Sequence, residues 1–256
     1  MKKTLLCGIQ KTGNTWARFV IFNYFNILNN KATKTLTFDE LQKPHLLRMT
    51  KGIDYDYKYD DGFPNVHHTH NAYDGQAIFK KYKGYTGYFE RFDNVIYIYR
   101  NPYDTMISYY HFMANRKKGG FPNGMMESLK LDNLDNFVRW YLPKYIHHIK
   151  TTLKKCIMTL NYEKLRFDPM GFKAAIMLIM EDPKTFKWDI FKTSVQMSTF
   201  ENIKKMSDNV KQPYGLGGPD YLGYFCRNGN YGQFHNEMSP ESIEYITKEW
   251  SKLGIL

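Results

Sequence analysis

An α/β domain with a central, mainly parallel β-sheet flanked by helices is the fold class this chain predicts, and three observations carry it. Near the N-terminus an apolar strand pattern, Thr4–Gly8, passes through a polar loop with one glycine, Gln10–Asn14, into a helical pattern, Thr15–Leu28. A second apolar strand, Val95–Tyr99, ends on Arg100 and leads into a helix that opens on Pro102, a favoured first helical residue. The 256 residues, 43% hydrophobic, suffice for one sizeable core, and no internal repeat or heptad array competes. One domain spanning 1–256 is expected.

The first unit is built to hold a phosphate-like group, because free backbone N–H groups and a helix dipole converge where strand, loop and helix meet. Lys11 lies in the loop, and Thr12, Gly13, Asn14 and Thr15 offer donors. GIQKTGNTW does not fit the Walker pattern, since its lysine precedes the glycine and no Lys-Ser/Thr pair opens the helix. The following helix is apolar around most of its circumference, as for a helix buried beside a sheet. Asn29–Thr37 reads as a polar connection, Phe38–Met49 as a helix interrupted near Pro44, and Lys51–Pro64 as a loop with alternating Asp, Tyr and Lys.

Asn65–Asn71 contains VHHTHN. His68 and His70 project to one side of a strand, but no third protein ligand is evident, so no metal is expected. A histidine there suits proton transfer, because its ordinary pKa lies near neutrality; without further context each of the three is more readily structural. Arg100, at the carboxyl end of its strand, is placed where an open α/β sheet binds ligands and has the fork geometry that grips phosphate.

Beyond it, Asn115–Leu131 reads as a loop with a basic cluster, Asp132–Lys155 as a long helix with Pro143 inside it, and Cys156–Leu160 as a strand running into NYEKL. His147 and His148 on the long helix read as surface groups or as supports of the site from behind. Helices follow at Asp168–Met180 and Pro183–Val195, a glycine-rich loop at Lys211–Gly232, and a closing helix at Pro240–Leu253.

The formal net charge of +11, from 36 Lys+Arg against 25 Asp+Glu, favours anionic partners. The three cysteines, Cys7, Cys156 and Cys226, lack metal-ligand spacing and suit a reducing compartment. Lys2 to Ile9 are too short for a signal core, and no later run reaches the length of a membrane span. A cytoplasmic protein without a transmembrane segment is expected.

Four ordered stretches resemble the sulfotransferases that use 3'-phosphoadenosine 5'-phosphosulfate (PAPS). GIQKTGNTW resembles their 5'-phosphosulfate loop, P-K-[ST]-G-[TS]-T-W, with Gln10 for proline and Asn14 for Thr/Ser. YRNPYDTMISYYHF resembles their 3'-phosphate motif, in which an arginine and a serine eight residues later hold the phosphate; Arg100 and Ser108 reproduce that spacing. STFENIKKM resembles T-S-F-x-x-M-K, and FCRNGNYGQF resembles R-K-G-x-x-G-D-W. HTH at 68–70 matches K-[ST]-H with His68 for lysine, and the tyrosine of NYEKL matches a short Y-E segment.

This resemblance implies a P-loop-NTPase-like sulfotransferase fold and transfer of a sulfuryl group from PAPS to an acceptor hydroxyl, leaving 3',5'-adenosine bisphosphate (PAP). It implies His70 as general base and Lys11 as the group that neutralises the leaving phosphate. Lys11, Thr12, Gly13, Asn14 and Thr15 would hold the 5'-phosphosulfate; Trp16, Tyr162, Ser198 and Phe200 would enclose the base; Arg100, Ser108, Arg227, Asn228 and Gly229 would hold the 3'-phosphate, Asn228 replacing a lysine. No metal is expected, since Lys11 and the loop donors stand in for a bridging cation. Two rivals are a P-loop-type kinase, for which no magnesium-binding aspartate after a strand is found, and a basic nucleic-acid-binding protein, which leaves the Arg100 and Ser108 pairing unexplained. No nucleic-acid partner is expected; acceptor and oligomeric state are left open.

Overall fold

The computed structural model describes residues 2–29, 37, 41, 64–74, 89–115, 131–208, 229 and 232–254. Among them four strands form one parallel sheet: β1 (Thr4–Cys7), β2 (Val66–Thr69), β3 (Asn94–Tyr99) and β4 (Met158–Asn161), in the order β2-β1-β3-β4. The apolar run of β1 is buried on both faces because a parallel sheet is covered on both sides. Leu6, Ile96, Ile98 and Leu160 pack on one face with α1 (Asn14–Leu28), α5 (Met170–Ile179) and α6 (Trp188–Met197). Leu5, Cys7, Val95 and Tyr97 pack on the other with α2 (Pro102–Asn115), α3 (Leu134–Leu153) and α9 (Pro240–Ser251). Alternate side chains of each strand thus serve two separate cores.

The chain leaves β1 toward β2 on one side and enters β3 on the other. That reversal makes a crevice between β1 and β3 at the carboxyl ends of the strands, where open α/β sheets bind their ligands. Lys11, His70, Arg100 and Tyr162 follow the strands at that edge.

Most element boundaries agree with the sequence pattern within two residues, and three features differ. NYEKL does not continue a strand: Asn161 ends β4, accepts a bond from the Lys164 amide at 2.8 Å and so caps α4 (Tyr162–Phe167), as asparagine does at helix starts. The helix expected over Pro183–Val195 is divided, a short 3-10 turn at Pro183–Thr185 giving way to α6; the Asp182 side chain caps that turn. Phe200–Asp208 forms a helix of its own, α7, and Phe234–Glu237 a single turn, α8, before α9. The long helix α3 runs on through Pro143. The expected helix at 38–49, except Leu41, and the loops at 51–63 and 116–130 lie outside the described residues.

Candidate active site

The loop after β1 is shaped from within. Thr12 donates its hydroxyl to the Ile9 carbonyl at 2.7 Å, and the Asn14 amide reaches the Gly8 carbonyl, the Ile9 carbonyl and Thr12 Oγ1 at 3.1, 3.2 and 3.2 Å. Both side chains therefore tie the loop together from below. The first intrahelical bond runs from the Ala17 amide to the Gly13 carbonyl, so the amides of Asn14, Thr15 and Trp16 precede it and belong to the helix start. Lys11 adopts φ 68, a left-handed backbone that costs a lysine about 1–2 kcal/mol. The conformation lifts the Lys11 ammonium over the Phe112 ring, 4.7 Å from its centroid.

Two glycines are required by close approach. A Cβ on Gly8 would stand 2.6 Å from the Ile98 carbonyl oxygen, and one on Gly13, which has φ 102, would stand 2.6 Å from the Tyr162 ring. The loop is thereby pressed against β3 and against the first residue of α4.

Each of the four strands contributes a group at its carboxyl end. After β1 comes the Lys11 loop; after β2, His70; after β3, Arg100; after β4, Tyr162. The guanidinium of Arg100 lies over the Tyr162 ring at 4.5 Å, and Trp16 meets Tyr162 and Phe172 edge-on at 5.5 and 4.9 Å. Arg100 is buried and stands 3.9 Å from both Asp104 and Glu163. Asn101 binds Glu163 and Asp104 at 2.6 and 2.9 Å, and its side-chain oxygen caps the amide of Asp104 at 2.8 Å.

Asp104 also accepts the Gly232 amide at 3.1 and 3.0 Å. This draws the C-terminal segment to the start of α2, where Ser108 follows one turn after Asp104 on the same helix. Gly229, at φ 67, lies so close to Phe200 that a Cβ would stand 2.6 Å from its ring. Arg227 and Asn228 lie outside the described residues. Ser198 is fully buried at the end of α6, where its hydroxyl donates to the Ser194 carbonyl at 2.7 Å and accepts from Asn23 at 3.0 Å. Its hydroxyl hydrogen is committed to the scaffold, locking α6 to α1 just before Phe200.

His70 is half-buried, and its Nδ1 lies 2.6 Å from the Gly8 carbonyl oxygen. A carbonyl only accepts, so Nδ1 carries the hydrogen and Nε2 presents a lone pair. Burial pushes the pKa of His70 down to about 4, the bond to Gly8 opposing the shift and Arg18 and Lys11 adding to it. The ring meets that of His68 edge-on, centroids 4.5 Å apart. His67 turns to the other face, against Phe92 and 3.0 Å from Asn65 Oδ1.

Behind His70 stands a group that the sequence pattern placed no higher than a surface or supporting residue. His148 is 2% exposed; its Nε2 lies 3.2 Å from the His70 carbonyl and its Nδ1 2.9 Å from the Tyr97 hydroxyl. The imidazole thus donates to His70 and accepts from Tyr97. Its neighbour His147 does lie toward the surface, 2.7 Å from Asp74. Asp104 and Glu163 were also missed as site residues, although the acidic residue one helical turn after Arg100 was a readable signal.

The arrangement can hold an anion at the start of α1, grip a second through Arg100 and take up a proton at His70. Comparison with known proteins gives these parts a common origin. Cytosolic sulfotransferase 17 of Arabidopsis thaliana is 22% identical over 94% of this chain and 71% of its own length. Flavonol 3-sulfotransferase of Flaveria bidentis and rat sulfotransferase 2A6 are 25% and 26% identical over 60% of this chain, which spans only about half of each, 52% and 54%. Two solved structures share the fold. A mouse sulfotransferase complexed with PAP superposes with a TM-score of 0.61 at 16% identity, covering 98% of this chain and 83% of that one. Retinol dehydratase in complex with androsterone and PAP gives 0.62 at 14%, covering 98% and 80%. The model of the sulfotransferase domain matches residues 1–252, and by that match the chain belongs to the sulfotransferase family.

Proposed function

We propose that this chain transfers a sulfuryl group from PAPS to the hydroxyl of an acceptor, yielding a sulfate ester and PAP. The observation that carries the reading is the presence of Lys11, His70, Arg100 and Tyr162 at the carboxyl ends of four adjacent parallel strands. Lys11, Thr15 and the amides of the Gly13–Trp16 turn take the 5'-phosphosulfate; Thr12 and Asn14 act by shaping that turn. Trp16, Tyr162 and Phe200 form the aromatic enclosure for adenine, with Ser198 holding the turn from which Phe200 projects. Arg100, Ser108 and Gly229 take the 3'-phosphate, together with Arg227 and Asn228. The fit is supported by Gly229 lying on Phe200 and by the Gly232 tether to Asp104, which bring that segment to the Arg100 end.

In the reaction the acceptor O–H gives its proton to Nε2 of His70 as its oxygen forms a bond to sulfur. The bond between sulfur and the 5'-phosphate oxygen breaks, and its electron pair leaves on PAP, where Lys11 neutralises the charge. With a pKa near 4 the imidazole is fully in its base form at neutral pH. Proton transfer becomes favourable as negative charge develops beside the ring.

The acceptor we infer is a small hydroxyl compound, in keeping with the flavonol, androsterone and retinol named for the relatives. A cytoplasmic location is the reading that accords with the cytosolic relative. The chain acts as one domain, because the parts of the site are drawn from both of its ends. Calorimetric titration with PAP, beside ADP and ATP, tests the reading. Selective binding of PAP is expected, and saturation at 100 times its dissociation constant adds about 2.7 kcal/mol of stability. No binding, or equal preference for ATP, would put a phosphoryl-transfer enzyme in its place.

A further inference from the structure

On the α1 face of the sheet, Arg18 and His68 are buried without completing their hydrogen bonds. Arg18 is 4% exposed and donates through Nη2 to the Leu41 carbonyl at 2.8 Å, while its Nε has no hydrogen-bond partner among the described residues. No carboxylate among the described residues pairs with it. His68 is 6% exposed, and neither of its ring nitrogens has a hydrogen-bond partner among the described residues.

The two groups share a neighbourhood. The register of β2 pairs His68 with Leu6, and strand alternation puts it on the same face as Val66. Leu6, Val66 and Leu41 all pack into the core that α1 builds around Ala17 and Phe19. The positive charge of Arg18 is felt at both His68 and His70, where it helps to hold the imidazoles neutral.

A guanidinium taken out of water is among the costlier things a fold can bury unless a counter-charge meets it, and none does among the described residues. A water molecule would accept from Arg18 and His68 but leave the charge uncompensated; an oxyanion accepts from both and supplies the counter-charge, and the arginine fork matches its geometry. Position decides whose oxyanion it is. His68 lies beside the His70 ring on β2, on the far side of β1 from Arg100, which is the side of the acceptor.

We propose that Arg18 and His68 bind a carboxylate or sulfate carried by the acceptor, so that the enzyme selects acidic hydroxyl compounds over neutral ones. This rests on the reading of His70 as the base that meets the acceptor hydroxyl. Arg18→Met, which keeps the stem and removes the charge, and His68→Phe test it. The ligand-free Arg18→Met protein melts no lower than wild type, since relief of the buried charge offsets the lost bond to the Leu41 carbonyl.

Matched pairs are then compared on the PAP-saturated proteins by calorimetry and, with PAPS, by initial rates: 4-hydroxyphenylacetate against 4-ethylphenol, and 12-hydroxydodecanoate against dodecanol. Wild type favours the acid of each pair, and in Arg18→Met the acid-to-neutral ratio falls by about tenfold or more, the loss of a charged hydrogen bond; His68→Phe lowers it less. Failure of wild type to bind PAP would remove the donor reading and this inference with it. PAP binding without any acid preference in wild type overturns the inference alone. So does an Arg18→Met protein that melts several degrees lower with its ratio unaltered, which would make Arg18 a strut for Leu41. Weaker binding of PAPS, with PAP binding kept and the ratio unaltered, would assign Arg18 to the donor's sulfuryl group and equally overturn it.

Discussion

The two ends of the site treat buried positive charge in opposite ways. At the β3–β4 end, Arg100 stands between Asp104 and Glu163, and Asn101 ties those carboxylates to the start of α2. At the β2 end, Arg18 and His68 are buried with unfilled hydrogen-bonding capacity and no carboxylate among the described residues. The first end carries its own counter-ions and is assembled before any ligand arrives, so a ligand phosphate competes with them for the guanidinium. The second has no counter-charge among the described residues, and by our proposal meets one when an acceptor binds. Such a division suits an enzyme with one fixed donor and a selected acceptor.

The comparison can be broken most severely at the base. His70→Ala should lower turnover by about 10²-fold or more while calorimetry finds PAP affinity retained; an equal loss of PAP affinity would merge the two ends. Next comes Arg100→Met, which removes the phosphate fork and should weaken PAP by about 10- to 100-fold, some 1.5–3 kcal/mol for a charged hydrogen bond. Wild-type PAP affinity in that variant would take Arg100 out of the donor site.

Acid should act on the β2 end first. Burial lowers the pKa of His68 well below its ordinary value, that of His70 to about 4 and that of His148 to about 3. A histidine depressed in the folded state binds its proton more readily when unfolded. The stability it contributes is therefore present above about pH 6.5 and is lost as pH falls through the folded pKa, by about 1.4 kcal/mol per pH unit for each group. Denaturant melts from pH 7 to pH 4.5 check this. A flat profile above pH 5 would mean that the three imidazoles are hydrated and charge freely.

Two smaller effects sharpen the contrast. Asp104→Asn frees the Arg100 guanidinium of one competitor but weakens the hold on Gly232; the second effect should prevail and cost PAP a few-fold in affinity, about 0.5–1.5 kcal/mol. Tyr97→Phe removes the hydroxyl that fixes His148 and should lower kcat about two- to tenfold with the KM for PAPS unmoved. Because His148→Gln retains a donor toward the His70 carbonyl, it should keep more activity than His148→Leu. Equal activities would make His148 a packing residue.

Short-range order was the readable part. The strand, loop and helix around Lys11 and the strand ending in Arg100 each lie within some twenty residues, where apolar period and capping chemistry act locally. The pairs that join distant segments were not readable: His148 with His70, Gly232 with Asp104, Asn23 with Ser198. Their side chains carry no mark of the partner, and packing alone brings them together. Ser198 illustrates the cost, since a hydroxyl assigned to the ligand on motif order is consumed within the scaffold. Arg18 was legible in principle. A helix buried on all sides leaves no solvent face for an arginine, so ARFVIFNYF already contained a charge with nowhere to go.

The all-parallel sheet bears on the history of the molecule as well as on its site. Thr4 is paired with Val66 on one side and Asn94 on the other, and Ile96 with Met158, so no two neighbouring strands can zip together from a hairpin. Every pairing must close a long loop before it is rewarded, the hallmark of slow, high-contact-order folding. During synthesis β1 must wait for β2 and then β3, and the Asp104 anchor for Gly232, so an apolar strand stays without its two partners until Tyr99 has been made. The nascent chain is therefore exposed to aggregation at the segment that later frames the phosphate loop.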